Sequence, residues 1–202
     1  MNPLRPEDFF SWPDYEAVRK VTRHRLLDYI KTQRTIRFPS GIELIFDNRQ
    51  TLWFRMQETI WMGRLFPKKD CLVELDAINR MHCGMGELEA HLSPLDRATL
   101  PPEPDPWPEE LTMEIATRPV LILKPDLFRG NYLTSAWDRG IRFRWSFSDS
   151  ERSLFSQLLL GITFRISLQG IRETSEPLPL KVRRSLLGDW ETTQISSKGM
   201  QG

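Results

Sequence analysis

The chain has 202 residues, of which 40% are hydrophobic and 27% are charged, a balance that is normal for one folded domain. Its 28 basic and 27 acidic residues leave a net charge of +1, so the positive excess of a typical nucleic-acid-binding protein is missing. No stretch of about 18 apolar residues is present to span a membrane, and the first residues lack the apolar core of a secretion signal. We therefore expect a soluble, cytoplasmic protein whose two cysteines, Cys71 and Cys83, are reduced.

The first part of the chain predicts a helix, a hairpin and two further helices. Ser11 is a suitable N-cap for the first helix, and residues 39–41 read as a turn between two short alternating strands. A central helix is expected over about residues 48–65, and a shorter helix capped by Asp70 over about residues 71–80. The apolar face of the shorter helix consists of Leu72, Leu75 and Ile78.

Strand patterns dominate the rest of the chain. They cover five segments: 87–92, 111–116, 120–123, 141–147 and 162–168. After the first of these, residues 94–108 contain six prolines, which lack an amide donor, so we expect an extended loop there. Glu87, Glu89 and His91 share one face of the first segment, and we expect that face to be solvated.

Two more helices complete the expected elements. Ser148 and Glu151 form a capping box ahead of a helix that ends near residue 160, and residues 180–190 predict a last helix. Because helices and strands do not alternate as in a doubly wound fold, we expect an α+β fold, with an antiparallel or mixed sheet and helices packed on one face. We assign residues 1–190 to a single domain and residues 191–202 to a flexible tail.

The central helix combines apolar and charged residues on one face. Five residues fall within one narrow arc of its helical wheel: Arg49, Trp53, Met56, Ile60 and Arg64. Arg49 lies in the first turn, where a cation opposes the helix dipole, so it needs a partner. That partner is either an anionic ligand or an internal carboxylate such as Glu74 or Asp76. About 22 Å of helix separates the two arginines, too far for both to hold one small ligand.

A longer motif identifies a family. The sequence IELIFDNRQTLWFRMQETIWMGRLF at 42–66, followed by ELDAIN at 74–79, resembles the family known as domain of unknown function 3501. The early segments LRPEDF and YEAVR fit the resemblance, as do IRFRW, LGITFRISLQ and PLPLKVRRSLLGDW later in the chain. The loop MHCGMG and the proline-rich segment at 94–108 depart from the family pattern.

The resemblance implies a set of functional residues and a setting. The matching motif positions are Asn48, Arg49, Thr51, Gln57, Glu58, Arg64, Glu74, Asp76 and Asn79, and all of these except Thr51 are our candidate ligand-binding residues. Genes of this bacterial family are often found beside rubrerythrin-like diiron proteins and iron–sulfur oxidoreductases. The resemblance therefore implies a part in a redox system and a diiron or iron–sulfur protein as a partner, and the activity of the family is not established.

Metal and cofactor signals are weak. Glu58 and Glu74 lie on neighbouring predicted helices, where paired carboxylates could bind a metal or transfer protons, but neither helix carries the E-x-x-H motif of diiron bundles. His82 and Cys83 are a second weak metal candidate, because they are adjacent and lack the spacing of a structural zinc site. Phosphate-loop, dinucleotide-binding and hydrolase motifs are missing, so no cofactor is evident.

Two functional hypotheses remain open. The preferred one is a non-catalytic accessory or binding protein that acts with a redox or metabolic partner protein, which Trp107 in the proline-rich segment is expected to contact. The alternative is an enzyme, or a binder of a small anion or metal, with a polar pocket around Arg49, Glu58 and Glu74. Convergence of the polar candidates on one cavity favours the alternative, and pairing within the core favours the first. A homo-oligomer is compatible with both, and nucleic-acid binding through residues 19–37 is a third, weaker class.

Overall fold

A computed structural model of the chain describes residues 3–81, 87–94, 110–115, 118–123, 142–157, 161–168 and 171–198. After a short 3-10 turn at Pro6–Asp8, the helical first part consists of α1 (Trp12–Gln33), strands β1 (Thr35–Arg37) and β2 (Ile42–Asp47), then α2 (Arg49–Gly63), α3 (Pro67–Asp70) and α4 (Leu72–Arg80). The second part consists of β3 (Glu87–Pro94), β4 (Glu110–Ile115), β5 (Arg118–Leu123), β6 (Arg142–Ser146), α5 (Asp149–Ser156), β7 (Ile162–Leu168), β8 (Ile171–Thr174) and α6 (Leu180–Lys198).

Within the described residues, the eight strands form two four-stranded antiparallel sheets. Their orders are β1-β2-β3-β6 and β5-β4-β7-β8. Apolar residues alternate with polar ones along β3, β4, β6 and β7, so each sheet has an apolar face, and these two faces share one core. The ring of Phe164 from the second sheet lies 5.7 Å from Phe46 and 6.2 Å from Trp145 of the first. The predicted α+β class, with antiparallel pairing, is confirmed.

Helices α5 and α6 close this core. Phe155, Leu186 and Trp190 belong to the same buried cluster as the sheet residues. Arg183 of α6 is buried and donates hydrogen bonds to the carbonyls of Phe155 (2.6 Å) and Gln157 (2.8 Å), which satisfies carbonyl groups left open where α5 ends. Helix α6 continues past its expected end at Trp190 to Lys198.

A second core lies between α2, α4 and the N-terminal segment, which we define as residues 3–11. Its buried members are Leu4, Phe9, Leu52, Met56, Ile60, Cys71, Leu75, Ile78 and Met81. The apolar stripe predicted on the central helix therefore packs against α4 and the N-terminal segment rather than lining an open site. None of the helices in the described ranges has the length and apolar character needed to cross a lipid bilayer.

Several local predictions are confirmed, and others need correction. Ser11 caps α1, and the turn at 39–41 forms with Gly41 at a positive φ of 87°. Asp70 belongs to α3, so Cys71 rather than Asp70 precedes the first residue of α4. Leu72 was expected on the apolar face of α4 but is 58% exposed, because this face turns inward only from Leu75 onward. Helix α5 ends at Ser156 instead of near residue 160, and strand β8 was not predicted.

Candidate functional site

Two of the predicted polar residues hold the N-terminal segment in place. The Gln57 side chain is fully buried; its Oε1 accepts a hydrogen bond from the amide of Phe10 (2.9 Å), and its Nε2 donates to the carbonyl of Phe10 (3.1 Å). Asn79 of α4 makes the same pair of bonds with Leu4, at 2.8 and 2.9 Å. Each primary amide thus gives the segment the donor and acceptor that a neighbouring strand would supply.

Arg49 contributes to the same attachment. Its Nη2 lies 2.7 Å from Oδ2 of Asp8, and the carbonyl of Asp8 accepts a hydrogen bond from the indole of Trp53 at 2.8 Å. The Arg49 side chain is 40% exposed, so this ion pair lies at the surface and contributes little to stability. The internal partner expected for Arg49 was Glu74 or Asp76, and the structure places Asp8 there instead.

Glu58 joins α2 to α1. Its buried carboxylate accepts hydrogen bonds from the Tyr15 hydroxyl (3.0 Å) and from both Nε (3.1 Å) and Nη2 (2.7 Å) of Arg19. Burial, with the charge of Glu58 adding to it, raises the pKa of Tyr15, so its hydroxyl stays protonated and keeps donating. Glu58 therefore faces α1, whereas Glu74 lies in the first turn of α4 and is only partly buried.

Asn48 joins three helices. Its side chain accepts from the amide of Thr51 (3.0 Å), while the Thr51 hydroxyl accepts from the amide of Asn48 (2.8 Å), which forms a reciprocal cap on α2. The Asn48 Nδ2 donates to Tyr29 of α1 at 2.9 Å and to Asp189 of α6 at 3.3 Å. Buried Arg34 completes the group by donating two hydrogen bonds to Asp189, at 2.6 and 2.9 Å.

The remaining candidates lie apart from these groups. Arg64 ends α2 in the left-handed conformation (φ 51°), with its guanidinium 5.6 Å from the ring centre of Trp12. Asp76 pairs on the surface with Arg80, one turn further along α4. Three predicted residues, His82, Cys83 and Trp107, lie outside the described residues. The structure thus places the polar candidates in several separate contacts.

A buried ionic cluster between α2 and the first sheet was not predicted. Its centre is Asp47, whose Oδ2 lies 3.0 Å from Nδ1 of His91 and 3.5 Å from Nη1 of Arg142, and whose Oδ1 lies 3.7 Å from Nη2 of Arg55. Arg142 also forms an ion pair with Glu89 at 2.7 Å. The expectation that Glu89 and His91 lie on a solvated face is therefore wrong, because α2 covers this face of the sheet and both side chains are buried.

The charge states within this cluster follow from its burial. Burial tends to raise the pKa of Asp47, but the hydrogen bond from His91 and the charges of Arg55 and Arg142 outweigh burial and hold the pKa below its usual range. Burial lowers the pKa of His91, so the imidazole is neutral and its Nδ1–H donates to the Asp47 carboxylate. Burial also raises the pKa of Glu89, although two arginines oppose this change. The cluster connects β2, β3, β6 and α2.

The residues of this cluster and Glu58 are poorly suited to hold a metal ion. Among the described residues, no group of three or more His, Cys, Asp or Glu side chains is arranged to hold a metal ion. Asp47, Glu89 and His91 are the carboxylates and imidazole of the cluster, and arginines occupy the positions next to them. Glu58 is likewise occupied by Arg19. Cations in these positions oppose the binding of a metal ion.

Four large apolar side chains are exposed in the stretch from the last turn of α2 through α3 to the first turn of α4. We call this set the apolar corner and define it by Met62, Phe66, Leu72 and Val73, which are 46%, 52%, 58% and 64% exposed. The neighbouring Cys71 is buried in the second core, and burial, with Glu74 and Asp70 adding to it, raises the pKa of its thiol to about 11. The exposed residues of the apolar corner are thus neighbours in the chain of a residue packed in the second core.

Comparisons with known proteins concern the family and the fold. Residues 3–93 match the family described as Protein of unknown function (DUF3501), and this range contains all eight ligand-binding candidates. Curated proteins give no match. Among solved structures, a novel protein of unknown function from Burkholderia pseudomallei K96243 is similar in fold, with a TM-score of 0.73 and 14% identity over 93% of this chain and 99% of that chain. The resemblance indicated by the motifs is thus confirmed over residues 3–93, which match the DUF3501 family.

Proposed function

We propose that this protein is a non-catalytic accessory protein that binds a partner protein through the apolar corner. The observation that carries the proposal is the exposure of four large apolar side chains within residues 62–73. Because these side chains lie close together in the chain, we infer that they form one patch, and an exposed apolar patch is a common mark of a protein–protein interface.

The packing of residues next to the corner supports this proposal. Pro67, Cys71 and Leu75 lie between or next to these residues in the chain and are buried, so the exposed side chains are carried on packed backbone. Fully burying one such side chain yields about 1.5–3 kcal/mol, and these side chains are already about half buried. The four together supply roughly 3–6 kcal/mol before the costs of association, so polar contacts at the rim must contribute to any tight complex.

The candidate polar residues make contacts within the fold, which supports a structural role for them. Gln57, Asn79 and Arg49 attach the N-terminal segment, and Asn48 and Glu58 join helices. Exposed Lys68 and Lys69 lie beside the corner and suit a partner with an acidic rim. Following the family resemblance, we propose a diiron or iron–sulfur redox protein as that partner, with Trp107 as a second contact.

Affinity capture from the native host tests this function with matched variants. Leu72→Asp combined with Val73→Asp introduces two charges into the apolar corner, and Val18→Asp combined with Val21→Asp introduces the same charges on exposed positions of α1. We expect mass spectrometry to identify a stoichiometric protein that is retained by the wild type and by the α1 variant but lost with the corner variant. Equal retention by both variants, or a bound small molecule without any protein, contradicts the proposal.

A further inference from the structure

A basic groove runs along one flank of α1, away from the apolar corner. It has a volume of about 430 Å³ and is lined by Glu16, Arg19, Lys20, Arg23, His24 and Leu27. These positions recur at intervals of three and four residues, so they lie on one side of the helix. A volume in the range of about 300–1,000 Å³ is typical of a pocket for a small organic molecule.

Arg19 is closely paired with a carboxylate in the groove, whereas Arg23 is not. Glu58 at its edge already accepts three hydrogen bonds from Tyr15 and Arg19. Arg23 reaches the same carboxylate only at 3.6 Å, and its buried Nε has no hydrogen-bond partner among the described residues. The Arg23 side chain is 41% exposed, so its terminal Nη groups, unlike the buried Nε, are accessible and can donate to an oxyanion that enters the groove.

Nearby contacts fix the orientation of the other groups. The Arg19 guanidinium lies over the ring of Trp61, 3.5 Å from its centre, and is held on its other side by Glu58. The carboxylate of Glu16 accepts a hydrogen bond from the indole of Trp61. Three cations (Arg19, Lys20 and Arg23) thus face two carboxylates that are already engaged, Glu16 and Glu58, and the cations outnumber the carboxylates by one.

We propose that this groove binds a small organic anion through its carboxylate or phosphate group. Arg23 and Lys20 bind the oxyanion, and the apolar side chain of Leu27 contacts the rest of the molecule. The net positive charge disfavours a metal ion. A nucleic-acid strand is a poorer fit, because it needs cations along an extended track and not within one groove. This binding site goes beyond the partner-binding function proposed above.

The test uses the full chain and two defined probes, inorganic phosphate and citrate. Binding is measured by isothermal titration calorimetry at constant low ionic strength. We expect Arg23→Gln to weaken the binding of at least one probe about tenfold or more, because a charge-assisted contact is lost. The matched control is Arg25→Gln, which removes the same charge from an exposed position of α1 outside the groove and should change the dissociation constant less than about twofold.

The same variants are used to check folding and to test nucleic acid as an alternative ligand. Arg23→Gln should leave the Tm close to that of the wild type, because Glu58 keeps its hydrogen bonds from Tyr15 and Arg19. Binding of neither probe by the wild type, or equal affinity of the wild type and Arg23→Gln, overturns the proposal. A short single-stranded DNA that binds more tightly than either probe, and is weakened equally by Arg25→Gln, also overturns it, since such binding belongs to an extended basic surface.

Discussion

Replacing Gln57 should detach the N-terminal segment without unfolding the rest of the chain. Gln57→Leu keeps a side chain of similar size but removes the hydrogen bonds to the amide and carbonyl of Phe10, at 2.9 and 3.1 Å. Each such bond contributes about 0.5–1.5 kcal/mol net, so the two together contribute about 1–3 kcal/mol. Phe10 is 47% exposed, so water can replace part of what is lost, and we expect a value in the lower half of this range.

A second substitution at the same position separates the effect of a buried charge from the effect of lost hydrogen bonds. Gln57→Glu keeps an acceptor for the Phe10 amide but turns a second oxygen toward the Phe10 carbonyl, and it places a charge where the native side chain has no exposure. A buried charge without a matched donor costs more than the loss of neutral hydrogen bonds. We therefore expect the glutamate variant to be less stable than the leucine variant, although glutamate is the closer match in shape.

Urea unfolding and hydrogen exchange together test this prediction. The urea midpoint reports the total loss of stability, while exchange at single amides reports where the structure opens. We expect the amide of Phe10 to exchange much faster in both variants, the amide of Leu4 to be less affected because Asn79 still binds it, and the sheet amides to keep their protection. Unchanged exchange at the Phe10 amide, or a glutamate variant as stable as the wild type, refutes the claim that Gln57 holds the N-terminal segment in place.

Three further predictions concern buried groups. Asp47→Asn should destabilise the protein by about 3–5 kcal/mol in urea unfolding, because two buried arginines lose a charged partner, whereas Asp76→Asn should have little effect because its ion pair is exposed. Burial lowers the pKa of His91, so just below about pH 6.5 the imidazole binds a proton in the unfolded chain and not in the folded one. The free energy of unfolding should therefore fall as the pH drops through this value, and His91→Gln should make its dependence on pH flatter. In a Cys83→Ser background, Cys71 should react with a thiol reagent at about pH 8 far more slowly in the folded protein than in urea, because burial raises the pKa of its thiol.

Local patterns were sufficient to predict the positions of most helices and strands. The Ser11 cap, the turn at 39–41 and the alternation along β3 each depend on neighbouring residues, and the structure contains all three. The roles of Gln57 and Asn79 depend instead on backbone groups that lie 47 and 75 positions away in the chain. Every residue except proline offers the same backbone amide and carbonyl, so local sequence does not indicate which segment a buried amide side chain will bind.

Burial of the polar sheet face was missed for a related reason. Alternation correctly indicates that Glu89 and His91 share a face, but the pattern is the same whether water or a helix covers it. Arg55, which contacts His91 from α2, was the residue that could have indicated this burial. An arginine in mid-helix beside buried positions needs an anionic partner nearby. Leu72 shows the opposite error, because an apolar residue at the start of a helix was assigned to a face that does not yet point inward.

The most direct test of the partner-binding account is hydrogen exchange on a complex reconstituted from this protein and the partner that it captures. Binding at the apolar corner predicts slower exchange within residues 62–73, which contain the exposed side chains of Phe66, Leu72 and Val73. It also predicts unchanged exchange within residues 19–27 on the flank of α1. Slower exchange at the α1 flank, with residues 62–73 unaffected, contradicts the account and transfers the binding site to the basic groove.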